Sequence, residues 1–280
     1  MTKITLITLI ALSSAALLTA CAGLSPSAST QDVNIQFAAE VNGAPFECGK
    51  SYSKVGSTGA TITPTDFRMF VSEVHLIDAQ GNAVPVALKQ DSTWQLDNVA
   101  LVDFENGSGP CRNGTSATNT SVRGTVPKGQ YTGMRLTLGV PFERNHSDPT
   151  VSPAPLNTTA MFWTWQGGYK FVKFDIASSF SVHLGSTVCA SPSRTQAPSA
   201  CQNPNRVTVT FNQFNPSTQK VVADMGRVLA AANVETNAAG TSPGCMSFLK
   251  DADCPPVMNA LGLAYEGKAA TGPQQLLSVR

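Results

Sequence analysis

The sequence predicts an all-β domain: an antiparallel β-sandwich or barrel-like fold with long disulfide-stapled loops. Three observations predict it. Short segments alternate apolar and polar residues with the two-residue period of a half-buried strand. The 22 Gly and 18 Pro are spread through the chain, which favours frequent turns over long helices. Six cysteines remain once the processed N-terminus is set aside, an even count that implies disulfides in an exported chain.

The N-terminus is read first because it is not part of the fold. Lys3 supplies a positive start, Ile4 to Leu18 an apolar run, and Leu18-Thr19-Ala20-Cys21 a cleavage site ending in cysteine. This is a bacterial lipoprotein signal over 1–20, with Cys21 the expected lipidated residue. The run is too short and too interrupted by Ser and Thr for a spanning helix. Ala22 after the cysteine favours the outer membrane, on its periplasmic or outer face. Residues 21–32 read as a flexible tether, and 33–280 as a single β domain. The net charge is +1 and only 13% of residues are charged, so nothing marks a nucleic-acid partner.

Within the domain, Val33 to Val41 puts Val33, Ile35, Phe37 and Ala39 on one face of a strand. Thr65 to Ile77 does the same with Phe67, Met69 and Val71 against Phe70 and Val74. A turn over Asp78 to Asn82 leads into Ala83 to Leu88, a hairpin. Further strands are expected over Thr93 to Phe104, Gly129 to Val140, Tyr169 to Phe180 and Arg206 to Phe214. Lys220 to Leu229 fits either a strand or a short helix. The leader Pro155 to Ala160 fits one helical turn capped by Asn157. Trp163 and Trp165 would then point apart, whereas an extended stretch would place them on one face.

Six cysteines allow fifteen pairings. Local spacing suggests Cys189–Cys201 and Cys245–Cys254, each closing a Pro/Ser/Asn-rich loop, with Cys48–Cys111 as the long-range bridge. A thiolate metal site is the alternative, but no Cys-x-x-Cys is present.

The chain is read around Met161 to Asp175, which holds Trp163, Trp165, Tyr169, Phe162, Phe171 and Phe174. It lies between the two loop sequences that look like metal-ligand positions, Asn145-His146-Ser147-Asp148 and Val182-His183-Leu184-Gly185. The plainer alternative is an aromatic core strand with two unrelated histidines nearby. There is no Gly-x-Ser-x-Gly, no His-Glu-x-x-His, no haem-attachment motif and no phosphate-cradling glycine loop, so no enzyme activity is expected.

Several segments occur together in order: Trp94-Gln-Leu-Asp, Val99 to Glu105, Leu138-Gly-Val-Pro-Phe-Glu-Arg-Asn-His-Ser-Asp148, Pro155-Leu-Asn157, Met161 to Phe171, and His183-Leu-Gly-Ser-Thr-Val-Cys189. The series resembles the MbnP-like family of copper-associated lipoproteins, the metallo-mystery-pair four-Cys proteins. The similarity runs from about Val33 to Cys254. It implies that a partner enzyme of the dihaem cytochrome c peroxidase type oxidises a tryptophan to kynurenine, and that the modified residue and histidines hold copper, as Cu(I) or Cu(II). His146 and His183 match the motif histidines, and Trp163 and Trp165 the tryptophan pair. No role is transferred to His75. The family's name counts four cysteines where this chain has six, so Cys245–Cys254 is the candidate addition.

The chemistry is compatible with that implication. Imidazole suits copper, and Met161 is a candidate soft ligand. An intact indole is a poor ligand, whereas ring opening creates donor atoms. The expected function is copper uptake or sequestration. The alternative is an adhesion or glycan-binding β-sandwich lipoprotein in which Trp163 and Trp165 stack on sugars.

Overall fold

The computed structural model describes residues 29–193 and 196–280. The expected signal peptide, Cys21 and most of the expected tether lie outside the described residues. The principal strands are β1 (Thr30–Val41), β2 (Pro64–Asp78), β3 (Val99–Asp103), β4 (Ser121–Pro127), β5 (Tyr131–Leu138), β6 (Val172–Ile176), β7 (Ser181–Leu184), β8 (Thr187–Ala190), β9 (Ala200–Asn203), β10 (Val207–Phe211), β11 (Lys220–Asp224) and β12 (Leu277–Val279). Three short helices join them: α1 (Phe142–Asn145), α2 (Met225–Leu229) and α3 (Cys254–Ala260).

The strands form two main sheets. One runs β12-β11-β1-β4, and the other runs β10-β5-β2-β6-β7 with β3 also on β2. Ile35, Phe37 and Val221 from the first sheet and Phe70, Leu136 and Phe174 from the second belong to one contiguous apolar core. The architecture is sandwich-like, with no closed barrel.

The long strand β2 is the spine. Met69 pairs with Val172 of β6 and with Val102 of β3, so those strands flank it on opposite edges. Farther along, Leu76 pairs with Met134 of β5 and with Val84 of the short return strand Ala83–Pro85. β6 and β5 therefore follow one another along the same edge. Ten of the fifteen β2 residues are buried and none is exposed, because neighbours occupy both edges and cover both faces.

The changeover between β5 and β6 falls at Phe70. The Gly139 amide donates to the Phe70 carbonyl (2.9 Å), and the Phe70 amide donates to the Phe171 carbonyl (2.8 Å). The chain thus leaves the sheet at Gly139 and rejoins it at Phe171. His146 and both tryptophans of the pair lie on this excursion.

All three disulfides pair as local spacing suggested: Cys48–Cys111, Cys189–Cys201 and Cys245–Cys254. Other expectations are corrected. β1 already begins at Thr30, inside the stretch read as tether, because Thr30 to Gln36 pair with Pro127 to Ser121. The turn before the tryptophans is a 3-10 turn at Thr159–Met161, and it has no side-chain cap from Asn157 or any other residue. Lys220 to Leu229 is both a strand and a helix. The switch falls at Asp224, whose carboxylate accepts from the Gly226 amide (2.9 Å) as the helix cap. Two pairings are parallel, β1 with β11 and β7 with Gly244–Cys245. Among the described residues no helix is long and apolar enough to cross a membrane.

Candidate metal centre

His146 follows α1, whose start at Phe142 is set by Pro141. An Arg144–Asp97 ion pair ties that helix to the turn before β3. The His146 ring is buried, and its Nδ1–H donates to the Trp165 carbonyl (2.8 Å). Nε2 is therefore the lone-pair nitrogen. It stands 3.2 Å from Asn145 Nδ2 and 3.5 Å from Cys201 Sγ. Burial lowers the His146 pKa, against the raising effect of the Trp165 carbonyl.

His183 sits on β7, and its Nε2 is 2.7 Å from Asp175 Oδ1. The ring is 7% exposed, and Nδ1 is buried without a hydrogen-bond partner. Burial, the largest cause, lowers the His183 pKa and outweighs the Asp175 carboxylate. Burial acts to raise the Asp175 carboxyl, but the His183 hydrogen bond and the charge of Lys173 hold it well below the ordinary carboxylate range. The pair is thus a neutral imidazole held by an ionised carboxylate. That arrangement orients ligating histidines at metal sites, where the second nitrogen binds the ion.

Asp175 is itself anchored. Its Oδ2 is 3.1 Å from Lys173 Nζ, Lys173 also pairs with Asp66, and Asp66 takes a two-pronged contact from Arg68. Strand register explains the chain of charges. His183 lies opposite Lys173, Lys173 opposite Arg68, and Arg68 opposite Asp103, a row across β7, β6, β2 and β3. Asp103 is buried, and burial pushes its pKa up to about 7 despite Arg68.

The tryptophans lie in a tight hairpin. The Trp163 amide donates to the Gly168 carbonyl (3.0 Å), and Gly168 returns a bond to the Thr164 carbonyl (2.7 Å). Gly168 has φ +70°, and a Cβ there would fall 2.3 Å from the Asn145 carbonyl oxygen. The Trp163 ring lies 6.3 Å from the His183 ring and 5.5 Å from Phe248, centroid to centroid. It also forms a wall of a cavity of about 440 Å³ that includes Gly167, Ser186, Val188, Cys189 and Phe248. Trp165 meets His146 through its backbone carbonyl. Met161 is fully buried in the apolar core and is not on the cavity wall.

The His146 loop touches the segment that follows His183. Asn145, next to His146, donates to Ser186 Oγ (3.3 Å) on the segment that follows His183. Its Oδ1 accepts from the Tyr169 amide (2.9 Å). Among the described residues, the cluster of three potential ligand atoms is His146, Cys189 and Cys201, within 4.8 Å of one another. His183 is not part of it, and the two sulfurs are joined as a disulfide, so neither is a thiolate ligand. His75 is elsewhere, with Nδ1 2.6 Å from the Glu73 carbonyl.

Lys173 and Asp175 fall in the strand expected over Tyr169 to Phe180, but alternating charges in a strand carry no sign that their face is buried. Ser186, Cys201 and Phe248 left no local signal, because only the tertiary fold brings them to the histidines and Trp163.

Fold and site together define a class: a disulfide-stapled β-sandwich with a histidine-based candidate metal centre where one sheet edge opens. The chain belongs to the MbnP family, whose model matches residues 30–247. The structure is similar to that of MbnP from Methylosinus trichosporium, with 32% identity, a TM-score of 0.79, and coverage of 90% of this chain and 98% of that one. No curated protein matches. The Cys245–Cys254 bridge reaches past residue 247, where the match to the family model ends.

Proposed function

We propose that this protein is a copper-binding lipoprotein of the MbnP family, acting in copper uptake or sequestration, with a tryptophan that a dihaem peroxidase partner converts to kynurenine. The observation that carries the copper reading is His183: a buried neutral imidazole, one nitrogen fixed by Asp175 and the other without a partner. The donor set fits the metal. Once each ring's other nitrogen is engaged, His183 Nδ1 has no partner and His146 Nε2 has only the 3.2 Å contact from the Asn145 amide, which also donates to Ser186 Oγ. Copper bound there is held by imidazole nitrogens, which suit both of its oxidation states. Asp175 and the Trp165 carbonyl fix the tautomers, and burial keeps both rings uncharged and ready to bind.

Trp163 is the tryptophan that the geometry favours for oxidation. Its ring faces His183 and borders the cavity, whereas Trp165 contributes a carbonyl that any residue could supply. Cleavage of the indole C2–C3 bond by two equivalents of hydrogen peroxide, each reduced to water, gives N-formylkynurenine, and hydrolysis then releases C2 as formate and leaves a ketone and an aniline nitrogen beside His183. Those groups have the lone pairs that the indole lacks. Met161 acts as core packing in this reading. The sugar-stacking alternative needs an open aromatic face, but the Trp163 ring packs against Phe248 and lies close to His183.

Peptide mapping tests the second half of this reading. The purified protein is incubated with a dihaem peroxidase and peroxide. The expected product carries the kynurenine mass change on the peptide containing Trp163, and omission of peroxide abolishes it. Modification confined to Trp94, or to no tryptophan, removes the proposed partner reaction.

A further inference from the structure

We propose that the Cys189–Cys201 disulfide is a reducible gate, and that its open form together with His146 makes a Cys2His site for Cu(I). The site shares His146 with the copper reading above and otherwise stands apart from it.

Three observations lead there. First, His146 Nε2, Cys189 Sγ and Cys201 Sγ already lie within 4.8 Å of one another, and His146 Nε2 is 3.5 Å from Cys201 Sγ. With Nδ1–H committed to the Trp165 carbonyl, the nitrogen facing the sulfur is the one with the lone pair. Second, the cysteines do not depend on their bond to stay opposed. They face each other in the β8–β9 ladder, flanked by the pairs Thr187–Asn203 and Ala190–Ala200. The Ser199 amide donates to the Ala190 carbonyl (2.9 Å), and Asn203 Nδ2 donates to Thr187 Oγ1 (3.3 Å). Third, this bridge is the accessible one. Both of its cysteines are partly exposed, and Cys189 opens onto the cavity beside Trp163. By contrast, each of the other bridges has a buried cysteine: Cys111, joined to the partly exposed Cys48, and both Cys245 and Cys254.

The redox step uses a dithiol reductant. Its two thiols form a disulfide, the Cys189–Cys201 S–S bond breaks, and two protons pass to the cysteine sulfurs. Cu(I) then displaces those protons and takes two thiolates and the His146 Nε2. Thiolate with imidazole is a soft donor set that selects Cu(I) and also accepts tetrahedral Zn(II) or Co(II). Reduction of one bridge would thereby create a second binding mode next to Trp163 and draw on a histidine of the first.

The test begins with mild anaerobic reduction of the full-length protein, followed by mass-tag alkylation to identify which cysteines open first. Cu(I) is then titrated against a chromophoric chelator, before and after reduction. Co(II) is added in parallel to look for thiolate charge-transfer absorption. Cys189 and Cys201 are expected to label before the other four. Reduced protein should bind its Cu(I) more tightly, with no further equivalent because both modes use His146 Nε2, and should show the cobalt–thiolate band. The gain should vanish in Cys189→Ser/Cys201→Ser, and in wild type whose opened pair has been alkylated, which needs no substitution. His146→Ala should weaken the gained site at least about tenfold, and His183→Ala should leave the gain in place. The proposal is overturned if the three bridges open together, if reduction does not tighten Cu(I) binding, or if the gain survives undiminished in His146→Ala. The oxidised samples report separately on the histidine-based copper reading, so either claim can fail without the other.

Discussion

At the scale of single residues, the centre depends on groups that never touch a metal. Asp175 fixes His183 Nε2, and Lys173 and Asp66 hold Asp175 in turn. Asp175→Asn keeps the shape and removes the charge. It should lower copper affinity about 10- to 100-fold with the fold intact, read by competition titration alongside thermal unfolding. Met161→Leu conserves volume in the core, so copper affinity should not change and stability should fall by less than about 1.5 kcal/mol. A clear loss of copper would instead make Met161 a ligand. Gly185 has a different constraint: a Cβ there would stand 2.4 Å from Trp163 Cζ3 and 2.9 Å from the Tyr169 carbonyl oxygen. Gly185→Ala should displace the Trp163 ring, seen as a change in tryptophan fluorescence, and cost about 1–3 kcal/mol. Asp103 governs a pH dependence. Its folded pKa of about 7 lies above the ordinary value of 3.8, so its contribution is fully present below pH 3.8 and lost as pH rises through 7. The wild type should therefore lose on the order of 3 kcal/mol from this group between pH 4 and pH 8. Asp103→Asn should flatten that slope in denaturant titrations, while Arg68, Asp66 and Glu105 remain around it. A slope unchanged in the variant would contradict the assignment.

At the scale of elements, what could be read depended on which forces act locally. The alternation of Val33, Ile35 and Phe37 and the turn at Asp78 to Asn82 are local signals, and both appear where expected. The three bridges followed from loop spacing. The charged row across β7, β6, β2 and β3 was not legible, because a two-residue period tells which residues share a face but not whether that face is wet. Here the face is buried, and the segment just after Cys111 helps to cover it: Gly114 packs on the Glu105 carboxylate, and Arg68 Nη2 donates to the Asn113 carbonyl (3.4 Å). Nor could the sequence tell a helix from an extended run before Trp163, because a 3-10 turn, a bridge and a tight turn follow within a few residues. Removing the long bridge as Cys48→Ser/Cys111→Ser should cost about 4 kcal/mol in the chain-entropy model. Chemical denaturation checks this, and a loss well under about 1 kcal/mol would mean that the loop is held by other contacts.

At the scale of the whole molecule, the sandwich is a rigid frame whose opening at one sheet edge carries the candidate centre. Phe70 pins both ends of the excursion that bears His146, Trp163 and Trp165, and β7 brings His183 alongside. The proposed lipid anchor is tested at Cys21: Cys21→Ser should move the protein from the membrane to the soluble fraction on cell fractionation. Unchanged sedimentation with membranes would end the lipid-anchor reading. The central claim is that His146 and His183 hold copper, with Trp163 oxidation adding donors beside them. Its most direct test is copper titration of oxidised wild type, His146→Ala and His183→Ala, each before and after treatment with the dihaem peroxidase and peroxide. The account predicts about one copper per chain in the wild type, a steep loss of affinity in either variant, and tighter binding after treatment in the wild type alone. Equal affinity in all three proteins, unchanged by treatment, would contradict it.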